Sequence, residues 1–154
     1  MKKFFEKLIL KLNSNTLNNF VGFFYGLIVP PKKSFSQYGE DLIIENFFKS
    51  IGINNDGFYL DIGAYHPKFI SNTYNLHKKG WKGLCIDLSD NKLKWFRFMR
   101  KGKVSTICAA VTPNNDNNEI SFFKHKRIFS EIDTLNENVA KKNKDKFGFD
   151  YTVE

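Results

Sequence analysis

The sequence predicts an α/β fold built on a parallel sheet. The prediction rests on two short apolar runs, Phe58–Ile62 and Trp81–Leu88, each of which carries an aspartate near its end. Runs of this length and composition are typical of strands that are buried on both faces of a parallel sheet. Gly63 follows the first run, and a helical segment that ends at Gly80 precedes the second. Strand, glycine turn, helix and strand in this order indicate an open sheet whose strands are connected by helices.

The ends of these two strands predict a ligand site. Asp61 stands at the end of the first strand and Asp87 at the end of the second. Open α/β sheets bind ligands at the carboxyl ends of their strands, and Gly63 allows the backbone to approach a ligand closely. A carboxylate at the position of Asp87 suits the two vicinal hydroxyls of a ribose. The alternative is that Asp87 caps the next helix, although Ser89 or Asp90 can also do so.

Three stretches occur in the order and spacing of a known family. They are Ser36–Leu42 (SQYGEDL), Tyr59–Pro67 (YLDIGAYHP) with Ser71–Thr73 (SNT) after it, and Gly80–Gly83 (GWKG) leading into Ile86 and Asp87. This arrangement resembles the FkbM-type S-adenosylmethionine-dependent methyltransferases. The resemblance covers roughly residues 34–123. It implies a Rossmann-like methyltransferase fold, S-adenosylmethionine as the cofactor, and methyl transfer to a hydroxyl of a sugar or another small molecule.

The residues that match the family's motifs are the predicted cofactor-binding residues. They are Asp61, Gly63, Ala64, Tyr65, His66, Ser71, Asn72, Asp87 and Leu88. A helix predicted to begin near Phe69 or Ile70 would direct its free N–H groups at the carboxylate of the cofactor, and Ser71 and Asn72 would either bind that carboxylate or cap the helix. For His66, ligand contact and a structural role are both open. The pattern assigns no catalytic base and predicts no metal site.

The predicted domain covers residues 34–154 and follows an amino-terminal segment, residues 1–33. In that segment Phe4, Leu8 and Leu12 recur at helical spacing beside lysines. Such a stripe is typical of a helix docked on the domain, and the alternative is peripheral contact of residues 1–30 with an anionic membrane. The run Phe20–Val29 is too short to span a bilayer, which takes about 20 apolar residues.

Two amphipathic patterns predict helices that cover the sheet. The first opens around Ser36, ends at Gly52 and buries one apolar stripe, which consists of Ile44, Phe47, Phe48 and Ile51. Its Gln37 and Asp41 either contact the cofactor or cap the helix. The second follows Asp87 and directs Leu93 and Phe96 at the sheet. Its basic residues predict a solvated face rather than a nucleic-acid site, and they are Lys92, Lys94, Arg97, Arg100, Lys101 and Lys103.

The remaining pattern is weaker towards the carboxyl end. A third strand is predicted over Val104–Val111, where the small Ala109 and Ala110 leave room for an adenine ring. Further predictions are a loop over Pro113–Asn118, a short strand over Ile120–Phe123, a polar helix over Leu135–Lys146 and a strand that begins at Tyr151. These strands are too few for a complete doubly wound sheet. The expected chain is therefore a methyltransferase fold that is incomplete at its carboxyl end.

Composition narrows the class of protein further. The formal net charge of +8 favours anionic partners, but lysine-rich surfaces often carry such a charge without using it, so no nucleic-acid partner is predicted. Cys85 and Cys108 have no metal-ligand neighbours and are predicted to be buried, reduced thiols, which fits the cytoplasm.

Two other functions fit parts of the pattern. A nicotinamide-dependent oxidoreductase would share the strand, the turn and the ribose-binding acid, but it uses three glycines where this chain has Gly63 followed by AYHP. A truncated, non-catalytic module would keep the fold without turnover.

Overall fold

The computed structural model of the chain describes residue 24 and residues 34–112, 120–125 and 132–154. These ranges contain four helices and five strands. The helices are α1 (Glu40–Ser50), α2 (Tyr74–Lys78), α3 (Asp90–Met99) and α4 (Glu137–Phe147), and the strands are β1 (Phe58–Ile62), β2 (Lys82–Asp87), β3 (Val104–Cys108), β4 (Phe123–His125) and β5 (Tyr151–Val153). Apart from Phe24, the predicted amino-terminal segment lies outside the described residues, and so does the predicted loop Pro113–Asn118.

The strands form two sheets. β1, β2 and β3 are parallel and adjacent in that order, with Ile62 opposite Ile86 and Asp87 opposite Cys108. β4 and β5 form a separate antiparallel pair, in which Phe123 lies opposite Val153. The prediction of an α/β fold with a parallel sheet is therefore confirmed. The strand ends that carry the predicted site lie at one edge of this sheet.

One face of the parallel sheet holds the hydrophobic core. Tyr59 and Cys85 direct their side chains into a buried cluster that Leu93 and Phe96 of α3 complete. Leu76 and Trp81 belong to the same cluster, and Ile44, Phe48 and Val104 pack against it. The helical stripe predicted from Leu93 and Phe96 is thus confirmed.

The opposite face of β1 is open, which contradicts the prediction of a strand buried on both faces. Phe58, Leu60 and Ile62 are 66%, 55% and 55% exposed, respectively. Side chains alternate along a strand, so these three residues point away from the Tyr59 face. The described helices α1, α2 and α3 all contribute to the core on the Tyr59 face. The composition of a strand could not reveal this asymmetry.

Helix α1 begins at Glu40, four residues after the predicted start at Ser36. The intervening turns wrap around the buried carboxylate of Asp41, which accepts hydrogen bonds from Ser34 Oγ (2.5 Å), Ser36 Oγ (2.8 Å), the backbone N–H of Phe35 (2.8 Å) and Asn75 Nδ2 (2.9 Å). This carboxylate has a structural role, and Gln37 is exposed. Half of the predicted stripe is wrong, because Phe47 and Ile51 are 57% and 53% exposed.

Helix α2 begins at Tyr74, not near Phe69 or Ile70 as predicted. Ile70 has a φ of 51°, a left-handed conformation that interrupts a helix. We call the irregular segment between β1 and α2, residues 63–73, the site loop. Its side-chain hydrogen bonds replace the helical ladder that the sequence pattern predicted.

The two cysteines differ in exposure. Cys85 is buried as predicted, and burial raises the pKa of its thiol to about 12. Cys108 is exposed, which contradicts the prediction. Its strand β3 pairs only with β2 within the described part of the chain, so the strand has a free edge there. No helix in this part of the chain has the length and apolar character needed to cross a membrane.

Candidate functional site

The turn after β1 is tied to the end of β2. The backbone N–H groups of Gly63 and Ala64 both donate to the carbonyl oxygen of Ile86, at 2.8 and 3.1 Å. Gly63 has a φ of 71°, and Tyr65 a φ of 52°. Glycine adopts the first conformation without steric cost, whereas a residue with a Cβ atom is strained in the second. The backbone therefore turns sharply at the carboxyl edge of the sheet.

Asp87 joins this turn to the next helix. One carboxylate oxygen accepts from the backbone N–H of Tyr65 (3.1 Å), and the other accepts from the backbone N–H of Ser89 (2.9 Å). Ser89 directly precedes α3, and no described side chain caps the first turn of that helix, so the bond from Ser89 to Asp87 is not the helix cap that the alternative predicted. Each oxygen of an ionised carboxylate can accept two hydrogen bonds, so each keeps capacity for a ligand hydroxyl.

A cavity opens beside Asp87 at the carboxyl edge of the parallel sheet. Its volume is about 250 Å³. The residues that line it come from the ends of all three parallel strands, from α3 and from the segments that flank β4; they are Ile62, Gly63, Tyr65, Ile86, Asp87, Leu88, Lys92, Ala109, Ala110, Val111, Phe122, Asp133 and Leu135. Ala109 and Ala110, which were predicted to leave room for a flat ring, form part of this lining. Of the predicted cofactor residues, Gly63, Tyr65, Asp87 and Leu88 come together here.

A buried ion pair forms another part of the cavity lining. Lys92 Nζ lies 2.8 Å from Asp133 Oδ2, and the two side chains are only 4% and 11% exposed. The other oxygen of Asp133 accepts from the backbone N–H of His125 at 2.9 Å. The pair thus links α3 to the segments around β4. The prediction that Lys92 lies on a solvated face is wrong.

The described part of the cavity lining carries a net negative formal charge. Asp87 and Asp133 contribute one negative charge each, and Lys92 is the one cation among the lining residues that the structure describes. Lys92 also lies over the ring of Tyr65, with its Nζ 5.5 Å from the ring centroid. The ion pair and the aromatic ring both hold the ammonium group at the cavity edge. Asp133 offsets the charge of Lys92, which leaves Asp87 as the uncompensated charge among the described lining residues.

Asp61 lies in a different environment from Asp87. Its Oδ2 accepts a hydrogen bond from Thr73 Oγ1 at 2.5 Å, and Asp61 is absent from the described lining of the cavity. Burial raises the pKa of the Asp61 carboxyl, an effect that the hydrogen bond from Thr73 and the nearby Arg100 charge oppose. Its predicted contact with a cofactor stays a prediction.

His66 holds the site loop from inside. Its Nδ1 accepts from the backbone N–H groups of Lys68 (3.0 Å) and Phe69 (2.9 Å), and the residue is 1% exposed. These bonds stabilise a compact turn. Of the two roles left open for His66, the described contacts show the structural one. The neighbouring Ala64 is buried as well.

Ser71 and Asn72 differ in their surroundings. Ser71 is 2% exposed, and its Oγ accepts from Arg100 Nη2 at 2.8 Å, whereas Asn72 is exposed. Neither residue is among the described residues that line the cavity. Arg100, which was predicted to lie on a solvated helix face, is completely buried, so that prediction is wrong.

Sequence reasoning missed three charged residues: Lys92, Arg100 and Asp133. A signal for the first two exists, since each is four residues from Phe96 and therefore shares its helix face. No sequence signal pairs Asp133 with Lys92, which is 41 residues away. Within the described ranges, no group of three or more His, Cys, Asp or Glu side chains is arranged to hold a metal ion.

Comparison with known proteins adds no relative. No family model, no curated protein and no solved structure matched this chain. The function of the site therefore has to be inferred from its own residues, their hydrogen bonds and their charges.

Proposed function

We propose that the chain is a methyltransferase domain with a Rossmann-like fold of the FkbM type, which uses S-adenosylmethionine to methylate a hydroxyl of a sugar or another small molecule. The observation that carries the proposal is Asp87, a carboxylate with spare acceptor capacity at the edge of a cavity where three parallel strands end. Such a position suits a nucleoside whose ribose offers two vicinal donors.

The residues of the cavity fit the nucleoside part of this cofactor. Ligand pockets have volumes of about 300–1,000 Å³, and the cavity of about 250 Å³ is slightly smaller, which suits an adenosine more than a dinucleotide. Asp87 would accept the ribose hydroxyls. Ala109 and Ala110 would leave space for the base, and Leu88 would pack against it.

Charge favours a cationic cofactor over a dinucleotide. S-Adenosylmethionine supplies a methyl group on a positively charged sulfur, whereas the pyrophosphate of NAD is anionic. The described lining, with two aspartates and one lysine, attracts the first and repels the second. The turn at Gly63 also lacks the further glycines that let a backbone enclose a pyrophosphate. The charge of the described lining therefore disfavours a nicotinamide-dependent oxidoreductase.

The contribution of the protein to methyl transfer is positioning. Transfer from sulfur to a hydroxyl oxygen is an in-line displacement, so the chain has to hold its ligands aligned at close distance. Backbone N–H groups of Gly63 and Ala64 bond to Ile86, and that of Tyr65 bonds to Asp87, so the turn at the cavity edge is tied to the end of β2. An edge held in this way would fix the ribose relative to the sheet.

Calorimetric titration of the purified chain tests the proposal. S-Adenosylhomocysteine, NAD and a generic RNA are titrated in parallel into the wild type, Asp87→Asn and Asp90→Asn. The Asp90 variant is the matched control, since Asp90 is an exposed residue of α3 outside the described lining of the cavity. We expect binding of S-adenosylhomocysteine alone, weakened about tenfold or more in Asp87→Asn because a charge-assisted hydrogen bond is lost, and unchanged in Asp90→Asn.

Two outcomes would contradict the proposal. Binding of NAD in place of S-adenosylhomocysteine would indicate the oxidoreductase. A folded chain that binds none of the three ligands would favour the non-catalytic module. If S-adenosylhomocysteine binds, transfer of a labelled methyl group to a panel of sugars then tests the acceptor class.

A further inference from the structure

Arg100 is the largest fully buried side chain among the described residues. A guanidinium group has five N–H donors, and here it makes five hydrogen bonds. Nε and Nη2 both donate to the carbonyl oxygen of Pro67, at 3.0 and 2.6 Å, and Nη2 also donates to Ser71 Oγ at 2.8 Å. Nη1 donates to Tyr59 Oη and to Thr73 Oγ1, both at 2.9 Å. Every donor of this buried cation is therefore used.

Three of the four acceptor groups belong to the site loop. Pro67, Ser71 and Thr73 span most of its length, and the fourth acceptor, Tyr59, lies on β1. This loop has no helical or strand ladder of its own, and it contains strained left-handed residues at Tyr65 and Ile70. Its shape therefore depends on side-chain hydrogen bonds: His66 supplies two of them from within the loop, and Arg100 supplies the largest group from outside it.

The charge of Arg100 is also balanced within this network. Thr73 Oγ1 accepts from Arg100 and donates to the carboxylate of Asp61, so one hydroxyl links the cation to an anion. The guanidinium carbon also lies 4.9 Å from the ring centroid of Phe96, within the range of a cation–π contact. A lysine in this position would have three donors on a point charge and could not reach all four acceptors.

We propose that Arg100 is the positioning residue of the cavity. By fixing the site loop it holds Gly63 and Tyr65, the two loop residues that line the cavity, and keeps the N–H of Tyr65 on Asp87. Arg100 is not itself among the lining residues, so it acts through the loop and not through contact with a ligand. Only the identity of the ligand in this inference rests on the proposed function.

Hydrogen exchange of Arg100→Lys tests the effect on the loop without any ligand. The reporters are backbone N–H groups that are bonded within the loop or from it, those of Phe69, Ser71 and Thr73. The matched control is Leu93→Ala, which destabilises the same core from a position on α3 that does not bond to the loop. We expect the loop amides to exchange at least about tenfold faster in Arg100→Lys, and the β3 amides to change no more than in the control.

A second measurement connects the loop to the cavity. S-Adenosylhomocysteine affinity should fall about tenfold or more in Arg100→Lys and stay within about threefold of the wild type in Leu93→Ala. If Arg100→Lys does not fold, Ser71→Ala replaces it, since that variant removes one of the five bonds and should accelerate exchange in the loop selectively.

The outcomes separate this inference from the proposed function. Loop exchange that is unchanged, or that rises only in parallel with β3 as in Leu93→Ala, would overturn the role of Arg100. Selective loop exchange with an unaltered S-adenosylhomocysteine affinity would overturn it as well, because the loop would then be irrelevant to the cavity. If the wild type does not bind S-adenosylhomocysteine, the proposed function fails, and the exchange experiment alone decides whether Arg100 positions the loop.

Discussion

The ends of β1 and β2 look alike in sequence and differ in structure. Each strand is apolar and ends near an aspartate, yet Asp61 lies inside a network of side chains, whereas Asp87 lines a cavity and accepts only backbone N–H groups among the described contacts. The difference comes from Thr73, which donates to the carboxylate of Asp61 and is itself bonded to the buried Arg100. A carboxylate at a strand end is thus a structural or a ligand-facing group according to which distant side chains reach it.

The largest expected effect is a loss of stability when Asp61, at the end of β1, is replaced. Replacing Asp61 by alanine removes the acceptor of Thr73 and the anion that balances the buried Arg100, so Asp61→Ala should lower the free energy of unfolding by about 3 kcal/mol. Urea unfolding at pH 7 measures this change. Asp90→Ala is the control, since Asp90 forms only exposed ion pairs and should leave stability nearly unchanged. A variant at Asp61 as stable as the wild type would show that the network does not need this carboxylate.

The next effect is on ligand binding in the cavity beside the end of β2. Ala110→Leu places a larger side chain in the cavity lining and should weaken S-adenosylhomocysteine binding about tenfold or more without lowering the melting temperature. Ser105→Leu is a matched control on the same region of chain, because Ser105 is exposed on β3 and outside the described lining. Equal affinities in the two variants would exclude the cavity as the binding site.

A smaller effect is the pH dependence of stability, where Asp61 differs from Asp41. Burial raises the pKa of Asp61 in the folded state, so the part of its contribution that depends on protonation is complete below the unfolded value of 3.8 and is lost as the pH rises through the folded value, whereas the hydrogen bond from Thr73 remains. Burial also opposes ionisation of Asp41, but hydrogen bonds from Ser34, Phe35 and Ser36 outweigh it and lower the pKa. The contribution of Asp41 is therefore present above 3.8 and is lost as the pH falls through its folded value.

Unfolding curves of Asp61→Asn and Asp41→Asn, measured between about pH 3 and pH 6 to bracket these ordinary carboxyl values, test this difference. The stability of the wild type relative to Asp61→Asn should fall as the pH rises. Its stability relative to Asp41→Asn should fall as the pH decreases. Slopes of the same sign would mean that the two carboxylates are in similar environments.

The smallest effect concerns the reactivity of the two cysteine thiols, Cys85 on β2 and Cys108 on β3. Cys108 is exposed near the cavity edge, where its Sγ donates to the carbonyl oxygen of Leu88 at 3.4 Å, and Cys85 is buried with a raised pKa. A disulfide reagent at pH 8 should therefore label one thiol rapidly, and Cys108→Ser should abolish this rapid phase. Two rapid phases would contradict the burial of Cys85.

Much of the fold could be predicted because it is encoded locally. The apolar runs of β1 and β2 and the Leu93 and Phe96 spacing of α3 are short-range patterns, and the structure confirms them. The predicted start of α2 was wrong because the site loop is shaped by hydrogen bonds from Arg100, which lies far along the chain. The burial of Lys92 and Arg100 was not predicted, because basic side chains are rarely buried, although both lie four residues from Phe96 on the same helix face.

The candidate site was predictable only in part, for the same physical reason. Gly63, Tyr65, Asp87 and Leu88 lie on or beside strand ends, and parallel pairing alone brings strand ends together. Asp133 reaches the cavity through a long-range ion pair that leaves no trace in local sequence. For His66 and Ser71 the sequence left both a ligand contact and a structural role open, and the irregular loop directs both residues inward.

One substitution made at both strand ends tests the central claim most directly. S-Adenosylhomocysteine affinity is measured by calorimetry at pH 7 for the wild type, Asp87→Asn and Asp61→Asn, each shown to be folded. Asp87→Asn should bind about tenfold or more weakly, and Asp61→Asn should bind within about threefold of the wild type. Wild-type affinity in Asp87→Asn, or an equal loss in Asp61→Asn, would contradict the assignment of β2 as the end that faces the ligand.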